Sequence, residues 1–169
     1  PKGNVRALRF AHLSLEFTDT NRRRTADIEK VFAHGYDVIT GTEAGVSHGN
    51  AQVALRNAAG THGYHLSLFR SHSTWVAVRK DLTTPDSVKV GVTPVLRASA
   101  AFKPRPPGRW GRRGIVWLQF GLAGYGTISV GAVHYVTRKG AGRRKGALDR
   151  LYAKAIGVWG RNHAAGSKL

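Results

Sequence analysis

The sequence contains no cysteine. That excludes disulfides, thiolate metal sites and cysteine nucleophiles, and it leaves the redox compartment unread. Acid is scarce: 9 Asp and Glu stand against 27 Lys and Arg, a formal charge of +18 before any of the 8 histidines is counted. Such a surface repels itself and calls for a polyanionic partner, most simply nucleic acid, whose phosphates exchange condensed counterions for Lys and Arg. A ribosome-like or virion-packed basic protein and a protein of anionic membrane surfaces are the alternatives. Long hydrophobic runs are missing too: nothing approaches the roughly 20 apolar residues of a membrane span, and the opening "PKGNVRALRF" has no apolar signal core. The chain therefore reads as soluble, intracellular or virion-associated. Methionine is absent, even as an initiator, so processing of the first residue or origin in a longer chain is expected. The closing "SKL" matches a peroxisomal address, a match of three letters that is read as coincidence.

What is present suffices for one folded domain. The chain has 169 residues, 41% of them hydrophobic, with four Trp spread along its length, enough for a buried core but not for two domains of ordinary size. The segment "VRALRFAHLSL" reads as a strand, and Thr20 or Asn21 can cap a helix through Ala26, Ile28, Val31 and Phe32 that stops at Gly35. The strand "YDVITGTE" follows, completing a βαβ unit with parallel pairing. A helix over "NAQVALRNAA", a hairpin over 64–69 and 74–79, and a strand pair within 86–102 come next. After a Pro, Gly and Arg-rich loop at 103–114, two more strands turn near 121–126. A basic helix closes the chain, with Leu148, Leu151, Ala155, Ile156 and Trp159 at helical spacing. The order βαβαββ(ββ)ββα describes an α/β layered unit.

Chemistry is sought where polar residues interrupt these strands. Glu43 ends "DVITGTE" at the C-terminal end of a parallel strand, where open α/β sheets bind ligands. Among small neighbours its carboxylate can hold Mg2+ against a phosphate, or it can be a loop acid paired with one of many cations; position alone leaves both open. His134, near the end of "TISVGAVHYV", can bond a phosphate oxygen or act as an acid near neutral pH. His12 in "FAHLSL" poses the same choice, and a packed strand histidine is the alternative for both. Arg105, Arg109, Arg112 and Arg113 surround Trp110, combining cations with a ring that can stack on a base; a solvated loop is the other reading. Arg138, Lys139, Arg143, Arg144 and Lys145 follow His134 as a phosphate track or a solvated basic face. The remaining histidines show no HxH or HExxH spacing, and no phosphate-binding GxxxxGK[ST] or GxSxG motif occurs.

The pieces "RFAHLSL", "YDVITGTE", "TWVAVRKDL" and "SVGAVHYV" come in the order of the signature strands of the endonuclease/exonuclease/phosphatase superfamily, the DNase I-like fold. The sequence resembles that family over nearly its whole length. The resemblance implies an α/β (α+β) DNase I-like half-fold: one mixed β-sheet with helices packed on one face, half of an αββα sandwich. It implies Mg2+ or Mn2+ held by Glu43, His134 contacting the scissile phosphate, and His12 where the family carries an asparagine that helps position metal and phosphate. The family's later "GDFN" and "SDH" motifs do not occur in these 169 residues. The resemblance therefore implies the N-terminal half of a metal-dependent phosphodiesterase, a nuclease with DNA ahead of RNA as its target, completed by a second polypeptide. Catalysis by this chain alone is not expected. A non-catalytic nucleic-acid-binding or virion structural protein on the same half-fold is the alternative, followed by a phosphoinositide-directed or membrane-surface protein.

Overall fold

Asp37 sets the start of the central strand. Its buried carboxylate accepts the backbone N–H of Arg9 at 2.8 Å and lies 3.5 Å from the Arg79 guanidinium. A buried carboxylate is stable only when so paired, and this pairing ties three neighbouring chain segments together where β1 (Phe10–Ser14), β2 (Val38–Thr42) and β4 (Trp75–Arg79) meet. The computed structural model describes residues 7–15, 21–44, 49–69, 74–96, 113–134 and 145–164.

The expected βαβ unit is present. β1 pairs parallel with β2, His12 opposite Thr40 and Ser14 opposite Thr42. Between them α1 (Asn21–Ala33) buries Ile28 and Phe32, one helical turn apart. Gly35, at φ 65°, takes the left-handed conformation that ends the helix, its N–H bonded to the Phe32 carbonyl. α2 (Gly49–Thr61) buries Ala51, Leu55, Ala58 and Ala59 beside it. β3 (Tyr64–Leu68) and β4 form the expected antiparallel hairpin, and the sheet order is β1-β2-β4-β3. Both helices cover one face of this sheet, around Ile39, Trp75 and Ala77.

The other face carries Val38, Val76 and Val78, which pack against Leu118, Phe120 and Ala132 of a second sheet. That sheet is antiparallel, β5 (Lys89–Leu96), β6 (Arg113–Leu122) and β7 (Gly126–Val133) in order. On its outer side lies α3 (Lys145–Ala164), whose Trp159 covers Gly131 and whose His163 stacks by Trp117. The layers therefore run α1 and α2, first sheet, second sheet, α3.

The α+β class is the expected one, while the expectation of one sheet with helices on one face is corrected: two sheets are present, with helices on both outer sides. Alternating apolar positions show that a strand has a buried face without showing which layer covers it. Residues 86–102 were expected to hold two strands; within the described residues there is one, β5, with a register shift between Pro94 and Leu96. Among the α3 side chains that are described, Tyr152 and Ala155 are buried, whereas Leu151 and Ile156 are 40% and 47% exposed. Among the described residues no helix is long and apolar enough to cross a membrane.

Candidate functional site

β2 delivers Glu43 to the end of the sheet, and the sequence there has a packing reason. Gly41 faces the Trp75 indole so closely that a Cβ would stand 2.3 Å from ring carbons, so only glycine fits beneath the ring. Trp75 in turn stacks on Phe32, 5.9 Å between centroids, which fixes the helix layer against this strand. Two residues beyond the strand, Ala44 is fully buried and its carbonyl accepts a 2.8 Å bond from the Gln52 side chain of α2.

Held on both sides, Glu43 adopts φ 68°, the left-handed region. A residue with a Cβ gives up roughly 1–2 kcal/mol there. Asp86 is the other described non-glycine residue with positive φ, and it sits in a surface turn. Strain retained in a carboxylate at a parallel strand's end is an observation from which function is reasonably argued.

His134 follows β7 directly, and its Nε2 is 3.6 Å from Glu43 Oε1, with both side chains about one quarter exposed (25% and 27%). The two residues come from different sheets, so the face-to-face packing of the layers creates the pair. The Tyr152 phenol of α3 donates to the His134 carbonyl at 3.1 Å, anchoring the strand exit to the outer helix layer.

His12 does not join this pair directly. Its exposed ring places Nδ1 2.9 Å from Thr40 Oγ1, two residues before Thr42 and so about 6.6 Å further down a parallel strand. Level with Thr42, the neighbour of Glu43, is Ser14, whose Oγ accepts from Thr42 Oγ1 at 3.3 Å. Reasoning from sequence passed over Ser14 and Thr42, because isolated hydroxyls on a strand read as solvent-facing. The signal that finds them is parallel register counted back from Glu43. Together Thr40, Thr42, His12 and Ser14 form a polar floor on the inter-sheet face, beside Phe10, which is 57% exposed.

Arg105, Arg109, Trp110 and Arg112 lie outside the described residues, as do Arg138, Lys139, Arg143 and Arg144. Arg113 opens β6 and Lys145 opens α3. Among the described residues no three His, Asp or Glu side chains are grouped to hold a metal ion. Glu43 fits Mg2+ in a more limited sense: this ion is commonly bound through one or two carboxylates and keeps its waters and substrate phosphates as the other ligands.

No protein-family model and no curated protein matches this sequence. Solved structures do match it in fold. Humanized D. rerio TDP2 aligns with a TM-score of 0.60 at 14% identity, over 89% of this chain and 56% of that one. D. rerio TDP2 complexed with a single-strand DNA product gives 0.58 at 14% identity, over 89% and 54%. Truncated Caenorhabditis elegans TDP2 gives 0.56 at 16% identity, over 88% and 53%. This chain thus has part of the DNase I-like, endonuclease/exonuclease/phosphatase fold, and it spans a little over half the length of those structures.

Proposed function

We propose that this chain supplies one half of a metal-assisted phosphodiester-cleaving site that acts on nucleic acid. The observation that carries the proposal is the Glu43–His134 pair: a carboxylate held in left-handed backbone at the end of β2, 3.6 Å from a histidine of the facing sheet. The fold supports it, since one of the similar TDP2 structures holds a single-strand DNA product, and the +18 charge suits a polyanion.

In this reading Glu43 is the protein ligand of Mg2+ or Mn2+. The bound ion would neutralise charge developing on a phosphoryl oxygen. His134 Nε2 faces the same space and bonds a phosphate oxygen. The Ser14 and Thr42 hydroxyls, one step away, orient substrate or water, and His12, braced by Thr40, extends the polar floor. The basic segments around Arg105–Arg113 and Arg138–Lys145 follow the phosphate backbone. Groups that activate water come from further polypeptide, joined to this chain or separate, which packs on the uncovered face of β1 beside Phe10.

Metal binding is tested with this chain alone. Mn2+ should broaden NMR signals around Glu43, Ala44 and His134 in the wild type and lose that localised effect in Glu43→Gln. Broadening that persists unchanged in the variant overturns the metal assignment.

The charge of +18 also suits a second reading, a nucleic-acid-binding protein without catalysis. Such a protein binds oligonucleotides with strong salt dependence, is indifferent to Glu43→Gln, and cleaves nothing in Mg2+ or Mn2+ even when the remaining half of a related fold is supplied.

A further inference from the structure

α3 carries a charge pattern that its packing does not explain. Arg150, Lys154 and Arg161 are all exposed, and at about 100° per residue they fall within roughly 40° of one another on the helix. Tyr152, Ala155, Trp159 and His163 face the second sheet, so the three cations lie on the crest pointing directly away from the body. From Arg150 to Ala164 the helix holds no Asp or Glu. A solvated helix face ordinarily intersperses acids at i±4, and two cations at that spacing, as Arg150 and Lys154 are, cost a few tenths of a kcal/mol.

The crest is continuous. The Arg161 guanidinium reaches back to 3.6 Å from where a Cβ of Gly157 would stand, narrowing the interval to Lys154. From Arg150 to Arg161 the row spans about 16 Å, the length of a short stretch of phosphodiester backbone. Its placement relates it to the candidate site: Tyr152 lies under the helix at His134, Trp159 at Gly131 and His163 at Gln119, so the row runs from the Glu43–His134 end down the outside of the second sheet.

We infer that this crest is a docking surface for a nucleic-acid phosphodiester backbone, continuing the path of a strand engaged at the Glu43–His134 end. The inference rests on the nucleic-acid reading above and adds residues to it. A membrane surface is the less suited partner, because the exposed apolar residues Leu151 and Ile156 lie on opposite flanks of the crest, about 140° apart, and form no shared apolar face.

The test measures binding of a fluorescein-labelled single-stranded DNA by anisotropy, in EDTA, across a range of salt. The variant R150Q/K154Q/R161Q is compared with K30Q/R56Q/K89Q, which removes equal charge from exposed positions elsewhere; circular dichroism and melting confirm that both fold. Three lost phosphate contacts reduce the slope of log K against log salt by about 2, at roughly 0.7 per contact for single strands, and the control changes it far less. Equal losses in the two variants overturn the inference in favour of diffuse charge. A crest variant that loses binding to phosphatidylserine vesicles but keeps DNA binding overturns it in favour of a membrane. If the wild type shows no salt-dependent DNA binding, the nucleic-acid reading itself fails and the inference falls with it, a result distinct from a wild type that binds and a crest variant that binds equally.

Discussion

Tyr152 of α3 donates its phenol hydrogen to the backbone carbonyl of His134, 3.1 Å away, so the outer helix holds the residue that faces Glu43 from the other sheet. The phenol is buried, at 2% exposure, and the bond joins the outer helix layer to the end of β7. Tyr152→Phe keeps the ring and deletes the bond. It should lower unfolding free energy by about 1 kcal/mol, with one part-buried acceptor losing a partner, and shift the His134 ring resonances in NMR spectra. An unshifted His134 would show that Tyr152 only fills space.

The strain at Glu43 gives a signed prediction. Glycine accepts φ 68° freely, whereas alanine does not. Glu43→Gly should therefore be more stable than Glu43→Ala by about 1 kcal/mol, after allowing for the extra freedom of an unfolded glycine. Both variants should lose localised Mn2+ broadening. Urea unfolding curves measure the first effect, and equal midpoints would mean that the backbone relaxes once the carboxylate is removed.

Gly41→Ala tests the packing beneath Trp75. A Cβ 2.3 Å from the indole carbons forces the ring or the strand to move. The expected loss is about 1–3 kcal/mol, accompanied by a changed tryptophan emission spectrum, because the buried Trp75 would gain solvent. Gly60 makes the contrasting control: nothing lies near the position of its Cβ, and within helix α2 its replacement by alanine should stabilise by up to about 1 kcal/mol.

Acid should weaken the attachment of α3. Burial between Trp117 and Trp159 pushes the His163 imidazole below its ordinary 6.5, and Gln119 Nε2, 3.4 Å from Nδ1, suits the unprotonated nitrogen. The unfolded chain thus takes up this proton at higher pH than the folded one. The contribution is complete above pH 6.5 and is lost as pH falls through that value toward the lower folded one. His65, also depressed by burial and secondarily by Lys80, adds in the same direction. Urea melts at pH 8 and pH 5.5 should differ by less in His163→Gln than in the wild type.

Much of this architecture was legible in advance because local chemistry and tertiary demand agree. Gly35 ends a helix, the run from Val38 to Thr42 opens on β-branched residues buried on both faces, and two short strand-like runs at 64–69 and 74–79 flank a polar stretch, as in a hairpin. Glu43 and His134 could be singled out because each breaks an apolar strand at its end. What could not be read was the relation between strands far apart in sequence. The division into two sheets depends on which faces meet, and so does the approach of His134 to Glu43 from the second sheet. His12 stands out in the sequence and Ser14 does not, because imidazole advertises chemistry and a hydroxyl does not; the parallel register puts Ser14 level with Thr42 and His12 level with Thr40.

Among the described residues β1 has β2 as its only strand neighbour, and β7 has only β6. Within these residues the outer edge of β1, the strand that carries the exposed Phe10, is of the kind that can template pairing between copies. The charge of +18 keeps such copies apart. The arginines and lysines that suit a polyanionic partner thus also oppose association between copies.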